Sequence, residues 1–265
     1  TKDVPSSNLF TISVGTSLND QTHFKKFLYN KGSGTDFLGF DNGFRSLKGG
    51  INAVLNPINN GYDLLNNGLN NDWTVKDRRP LADLSMNMNF SRRWVDSSGR
   101  TLAMLGTVNY SNSYKTYLDM DNNLFGAYDT THDCSNYLRK SIDDQYNHNV
   151  RIGTMLNFTY VPASGNSRYE FKNIFNQLGK DRYTYRKGTD AQSDYEESAE
   201  YYYQSRTTYN GQFTGKHTLG DADKLDWSTG YSYANRNMPD RRRYTNVLKE
   251  ETNQLEVETV KEINR

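Results

Sequence analysis

Four histidines, a cluster of oxygen donors, three consecutive arginines and a group of tyrosines are the side chains whose types and spacing could do chemistry. His23, His132, His148 and His217 stand far apart, without the close spacing of a transition-metal site. Asp119, Asp121, Asn122 and Asn123 gather oxygens as calcium loops do. They lack the glycine and distal glutamate of an EF-hand at the required offsets, so a solvated loop is the expectation. Asp143 and Asp144 carry no further signal. No nucleophile, base and electrophile recur together, and the chain is read as a non-enzyme without cofactor or metal. Arg241, Arg242 and Arg243 follow Pro239 and Asp240 in what reads as an outer loop. Guanidinium forks match carboxylate and phosphate oxygens, so the triplet could hold an anionic ligand or lipopolysaccharide phosphates. Pairing with nearby Glu250 and Glu251 is the competing reading. Tyr201, Tyr202 and Tyr203, with Tyr183 and Tyr185, could stack on sugar rings, or pack between neighbouring strands. Arg241, Arg242, Arg243, Tyr201 and Tyr203 are the candidate ligand-binding residues.

Composition limits the scaffold that positions them. The 265 residues are 34% hydrophobic, yet 20 are Tyr and 12 are Phe. Mean hydropathy is -0.91, and no run of about 18 apolar residues is available for a membrane helix. A soluble core of this length draws on more aliphatic residues. Disordered chains are poor in aromatics, which this chain is not. A sheet that is apolar on one face and wet on the other fits the balance. Net charge is +1, from 32 basic and 31 acidic residues, so no basic excess points to nucleic acid. The single Cys134 excludes an internal disulfide and a cysteine-based zinc cluster. No signal peptide precedes Thr1, so an exported protein is expected here as a mature or partial chain.

Period-two alternation recurs along the chain and predicts strands. Leu84, Met86, Met88 and Phe90 alternate with Ser85, Asn87 and Asn89. Leu102, Met104, Val108 and Tyr110 alternate with Ala103, Thr107 and Asn109, and Leu105 breaks the polar set. The pattern returns at Ile152, Leu156, Phe158 and Tyr160, at Tyr209 and Phe213, at Leu225, Trp227, Tyr231 and Tyr233, and earlier at Phe10, Ile12 and Val14. Seven strands are predicted over 8–22, 75–94, 101–118, 137–161, 168–187, 197–219 and 225–237, with an eighth beginning near Leu255. Short turns are expected at VDSSGR (95–100), PASGNS (162–167) and GDADK (220–224), each rich in residues that accept tight-turn angles. Long polar connections are expected over 23–75, 119–136, 179–197 and from Asn237 onward, with a short amphipathic helix within 56–72 carried by Leu55, Ile58, Leu64, Leu65 and Leu69. Short turns alternating with long loops are the plan of an outer-membrane barrel, and 137–161 exceeds the roughly 9–11 residues that cross a bilayer. Phe90, Trp94, Tyr160, Tyr169 and Trp227 cluster near the short turns, as an interfacial aromatic girdle would. Cross-strand pairing in a soluble sheet is the alternative.

At LSMNMNFSRRW (84–94), GRTLAMLGTVNYSNSYKT (99–116), the long run 135–186, AEYYYQSRTTYNGQFTGKH (199–217) and YSYANRNMPDRRRY (231–244), the chain resembles TonB-dependent receptors of the SusC-like type. FTISVGTSLNDQTHFKKFL (10–28) with TDFLGFDNGFRSL (35–47) resembles the first barrel hairpin of that family. The resemblance implies an all-β, antiparallel transmembrane β-barrel of about 22 strands, closed by a plug. The whole chain, 1–265, would supply a partial barrel domain without plug, energy-coupling box or final strand. It further implies a bacterial outer-membrane location and energy-coupled import of a nutrient such as an oligosaccharide or peptide. The implied partners are outer-membrane lipids and lipopolysaccharide, a TonB-type energy-transducing protein, and a SusD-like surface lipoprotein lid of the kind members often carry. A passive porin or small anchoring barrel, and a soluble β-rich binding module, are the alternatives. The module predicts that Leu84, Met86, Met88 and Phe90 pack against another sheet.

Overall fold

Alternating sequences pair edge to edge. In the computed structural model, which describes residues 5, 7–46, 70, 72–190, 192, 194–220, 223–249 and 252–263, they build one large antiparallel sheet. The strands are β1 (Leu9–Ser17), β2 (Phe27–Tyr29), β3 (Lys76–Arg78), β4 (Asp83–Val95), β5 (Thr101–Asp121), β6 (Leu124–Asp129), β7 (Cys134–Val161), β8 (Ser167–Asp190), β9 (Tyr195–Leu219), β10 (Asp223–Asn237), β11 (Arg241–Lys249) and β12 (Gln254–Ile263). Ten of them form the sheet, in the order β1-β4-β5-β7-β8-β9-β11-β12, with β6 on β7 and β10 on β9. β2 and β3 form a separate pair. The described residues do not close this sheet into a barrel, and they contain no α-helix. The helix expected within 56–72 lies outside the described residues, apart from positions 70 and 72.

Residues directly opposite in an antiparallel pair share a face. Phe10 lies opposite Phe90, Ile12 opposite Met88 and Val14 opposite Met86. Met88 lies opposite Val108, Met104 opposite Phe158, Phe158 opposite Phe171, and Phe171 opposite Phe213. The apolar set of each strand therefore falls on a single face. Asn87 and Asn109 pair on the other face, and Leu105 interrupts it opposite Asn157. The three short turns all lie at one end of the sheet. Gly99, Gly165 and Gly220 take positive φ there, the region open to glycine.

Three expected loops are strand instead. β8 runs to Asp190 and β9 starts at Tyr195, so the connection expected over 179–197 shrinks to the four positions between them. The expected loop 119–136 contains β6. The region after Asn237 continues as β11: Asn237 lies opposite Ser205 and Arg242 opposite Tyr201, so β10 and β11 are one strand interrupted by a one-residue bulge. Asp240 in that bulge has φ 59°. These stretches read as loops because aliphatic residues are sparse in them. They still alternate, with Tyr183 and Tyr185 on one face and Arg182, Thr184 and Arg186 on the other. β7 has 28 residues, about 95 Å at roughly 3.4 Å per residue.

The core sits at the end away from the short turns. The described residues between β1 and β4 form a strap over that part of the apolar-sided face. Phe27, 1% exposed, packs edge-on against Tyr114 and Tyr146 at 5.4 and 5.5 Å. Trp73 packs edge-on against Tyr201 and Tyr244 at 5.6 and 5.9 Å. Gly39 lies flat on Gly179, where a Cβ on Gly179 would come within 2.5 Å of the Gly39 Cα.

Candidate functional site

Strand alternation divides the arginine triplet. Arg242 points to the strap side, where its guanidinium is 1% exposed. It donates to the carbonyls of Asn70 (3.1 Å) and Asp72 (2.7 Å) and to Asn30 Oδ1 (3.0 Å), and it lies 2.8 Å from an Asp240 carboxylate oxygen. The guanidinium also sits about 5 Å from the ring centroids of Trp73 and Tyr201, at 4.9 and 5.0 Å. Burial lifts the Asp240 carboxyl above the usual range, opposed by Arg242. Arg241 and Arg243 point to the opposite, polar face. Arg241 and Arg182 share Glu200, Arg182 at 2.8 Å, and Thr184, Arg186, Ser198, Glu200, Arg241 and Arg243 line a small cavity there. The expected outer loop is thus a strand, and Arg242 serves the packing of the strap. The expected partners Glu250 and Glu251 lie outside the described residues.

Tyr201 and Tyr203 are also beneath the strap, 4% and 3% exposed. Tyr201 donates to the Trp73 carbonyl at 2.7 Å, and the Arg45 guanidinium lies 3.8 Å above the Tyr203 ring. Burial raises the hydroxyl pKa of Tyr183, Tyr201 and Tyr203. These rings are packing surfaces, leaving Tyr202 on the polar face, 4.7 Å from the Arg182 guanidinium. The same seam holds two perturbed groups. His148 stacks on Tyr114 at 4.4 Å and bonds Asn112 at 2.9 Å, and burial holds its imidazole down at about 3. Burial lifts Asp181 to about 6 against the pull of Arg45.

The polar face is concave. A cavity of about 700 Å³ is lined from β1, β4, β5, β7, β8 and β9, and a second of about 690 Å³ adjoins it. Both share Gly15, Ser85, Ser111 and Arg151. One space can touch side chains of six adjacent strands only if the sheet curls toward them. Five asparagine amides line this trough, those of Asn87, Asn109, Asn147, Asn149 and Asn176. Further from the short turns, Arg186 holds Asp143 through two bonds of 2.6 and 2.8 Å. Burial opposes ionisation of Asp143, but Arg186 and Asn122 outweigh it and keep its carboxyl below the usual range. Sequence reading passed over Asp143. The signal was the turn at 162–167, whose register sets Asp143 opposite Arg186.

The convex face near the short turns is uncovered. Phe10 is 66% and Tyr231 64% exposed, and Ile12, Val14, Met86, Leu102, Phe171, Phe213 and Leu225 are exposed with them. At the turn end, Tyr160, Tyr169, Phe213 and Trp227 form a continuous cross-strand row, with neighbouring rings 5.1 to 6.5 Å apart. Trp227 lies over Gly215, where a Cβ would meet its Cε2 at 2.3 Å, and donates to His217 at 2.9 Å.

The four histidines remain apart. His23 bonds Asp83 at 3.0 Å, and His132 bonds Asp129 at 2.7 Å in an exposed turn. Asn122 bonds Asp143 (2.7 Å) and Arg139 (3.0 Å), and Asn123 accepts from the Ser141 N–H (3.1 Å). Their oxygens and amides thus tie the connection between β5 and β6 to β7, and no group of three or more metal-ligating side chains occurs among the described residues. Compared with known proteins, the chain matches no protein-family model, no curated protein and no solved structure.

Proposed function

We propose that this sheet is part of the wall of an outer-membrane β-barrel. Following the resemblance to TonB-dependent receptors of the SusC-like type, the whole protein would import a nutrient using energy delivered by a TonB-type partner. The observation that carries the reading is the exposed apolar band on the convex face, backed by an amide-lined concave face. Soluble monomers rarely expose contiguous apolar patches beyond a few hundred Å². Among the described residues no second sheet covers Leu84, Met86, Met88 and Phe90, as a soluble sandwich would require. From Leu102 to Tyr110 along β5 the band rises about 27 Å, close to the apolar height of about 25 Å on outer-membrane barrels. The aromatic row at its lower edge suits a membrane interface, where rings are buried and polar edges stay wet.

The test places an arginine on each face: Met88→Arg in the band and Asn87→Arg beside it. Arginine near the bilayer midplane costs about 2–4 kcal/mol and much less in a wet lumen. Met88→Arg is expected to abolish recovery of protease-resistant protein from the outer membrane, and Asn87→Arg to spare it. Equal loss at both positions, or no loss at either, sinks the reading. The strap favours a second reading, since it packs on the same side as the band. A surface-exposed binding module whose band docks on a protein partner would show the same arginine pattern while failing to contact lipid.

A further inference from the structure

On the concave face, Arg151 of β7 lies opposite Leu178, Leu178 opposite Arg206 of β9, and Arg206 opposite Arg236 of β10. Lys180 is two residues beyond Leu178 on the same side of β8, opposite Asn149, and Lys115 of β5 is opposite Asn147. Elsewhere on this face several cations are paired with carboxylates: Arg182 and Arg241 with Glu200, Arg186 with Asp143, and Lys172 with Glu170. In this strip no carboxylate within 4.0 Å engages Arg151, Arg206, Lys115 or Lys180 among the described residues. Among the described residues Arg236 reaches the neutral Gln204, at 3.2 Å, and no carboxylate. Among the described residues the one acid lining the two cavities, Asp83, is taken by His23 (3.0 Å) and the Tyr114 N–H (2.8 Å). Uncompensated cations in a concave trough focus a positive potential into it.

We propose that this strip binds an extended anion carrying two or more carboxylate or sulfate groups among hydroxyls, an acidic oligosaccharide in chemical class. With strands roughly 4.8 Å apart, Arg151 and Arg206 stand about 10 Å from each other across β8, the separation at which two acid groups of one ligand are gripped. Guanidinium forks take the oxyanions in bidentate fashion. The intervening asparagine amides, each both donor and acceptor, take the hydroxyls. Rings of Arg and Lys select anions in pores by the same physics. The proposal rests on the reading that the concave face lines a wet passage.

The experiment measures binding of trigalacturonate and of neutral maltotriose to the full protein in detergent, at low and high salt. Trigalacturonate is expected to bind at least about tenfold more tightly at low salt and to lose that margin at high salt. The double variant Arg151→Gln/Arg206→Gln is expected to erase the margin with an unchanged thermal midpoint. Should it unfold, Arg151→Gln and Lys180→Gln singly carry the test. Lys172→Gln, a neutralised cation of the same face, is the control and keeps the margin. Equal affinity for both probes, a margin that survives the double variant, or equal loss in Lys172→Gln overturns the proposal. A protein recovered outside the membrane that still passes this test refutes the importer and leaves the site. A membrane-integral protein that fails it does the reverse.

Discussion

Replacing Arg242 by alanine is expected to release the strap. The side chain is 1% exposed and joins β11 to three acceptors on the strap, Asn30, Asn70 and Asp72, and to Asp240. Its removal takes away the guanidinium that lies 2.8 Å from the buried Asp240. Removing one partner of a buried ion pair costs about 3–5 kcal/mol. Because the lost contacts all tie the strap to the sheet, most of that cost falls on local opening of the strap. At about 1.4 kcal/mol per tenfold, the open population rises roughly a hundredfold to a few thousandfold. Trypsin reports it directly, since Lys76 and Arg78 lie in β3 of the strap. Cleavage follows the open population while reclosing outpaces the protease. Arg242→Lys keeps the charge without the fork and is expected to fall between the two, whereas Arg242→Ala with Asp240→Asn recovers part of the protection. Arg100→Ala, at an exposed pair with Asp96 in a turn, is expected to change nothing. Less than a threefold rise in strap cleavage for Arg242→Ala would refute the reasoning and leave the aromatic packing of Phe27 and Trp73 as the whole hold.

The folded imidazole of His148 stays neutral down to about 3, whereas the unfolded one takes a proton from about 6.5, so stability is lost as pH falls through that interval. His148→Gln should flatten the thermal midpoint between pH 7 and pH 4. Asp181 acts with the opposite sign: its carboxyl is lifted from 3.8 to about 6, so it costs stability as pH rises between those values and fully above them. Asp181→Asn should therefore raise the midpoint more at pH 7 than at pH 4. Gly179→Ala forces its Cβ into the Gly39 backbone at 2.5 Å, where no side chain can yield, and should speed amide exchange around Gly39 by about tenfold or more. In single-tryptophan variants, brominated lipids should quench Trp94 and Trp227 on the lower convex face and spare Trp73 in the strap. Quenching of none of the three would remove the membrane from the account and favour the docked module.

Where apolar and polar residues alternated strictly, the sequence disclosed both strand and face. The sides assigned from Leu84 to Phe90, from Leu102 to Tyr110 and from Leu225 to Tyr233 are those found, including the interruption at Leu105. What escaped was alternation written in polar residues. Arg241–Lys249 reads RRRYTNVLK after a Pro-Asp pair, and three consecutive charges look like a loop until the bulge before them is allowed for. The same alternation divides the candidate ligand residues between the two faces. Adjacent positions on a strand face opposite ways, so Arg242 could never act alongside Arg241 and Arg243. Long-range partners were legible only through register. The turn at 162–167 places Asp143 against Arg186, 43 positions away. The strap offered no such rule, because its contacts with Tyr114, Tyr146 and Tyr201 depend on how a nonrepetitive segment folds back.

One face of the same strands solves two solvent problems in sequence. Toward the short turns it carries Leu, Met, Phe and Ile left bare, the kind of patch that marks a protein or membrane interaction site. Beyond the level of Tyr110 the same face changes to Tyr146, Tyr183, Tyr201 and Arg242, residues with polar ends, and there the chain supplies its own cover. The cover begins where the bare band stops: Tyr110 donates to the Phe37 carbonyl at 2.9 Å, and Gln177 donates to the Gly39 carbonyl. A soluble two-layer protein would have extended that cover over the apolar end first, where burial gains most per unit area. Covering the tyrosine end and leaving the aliphatic end open is what the proposed barrel wall requires, with strands that emerge from a bilayer and continue into water.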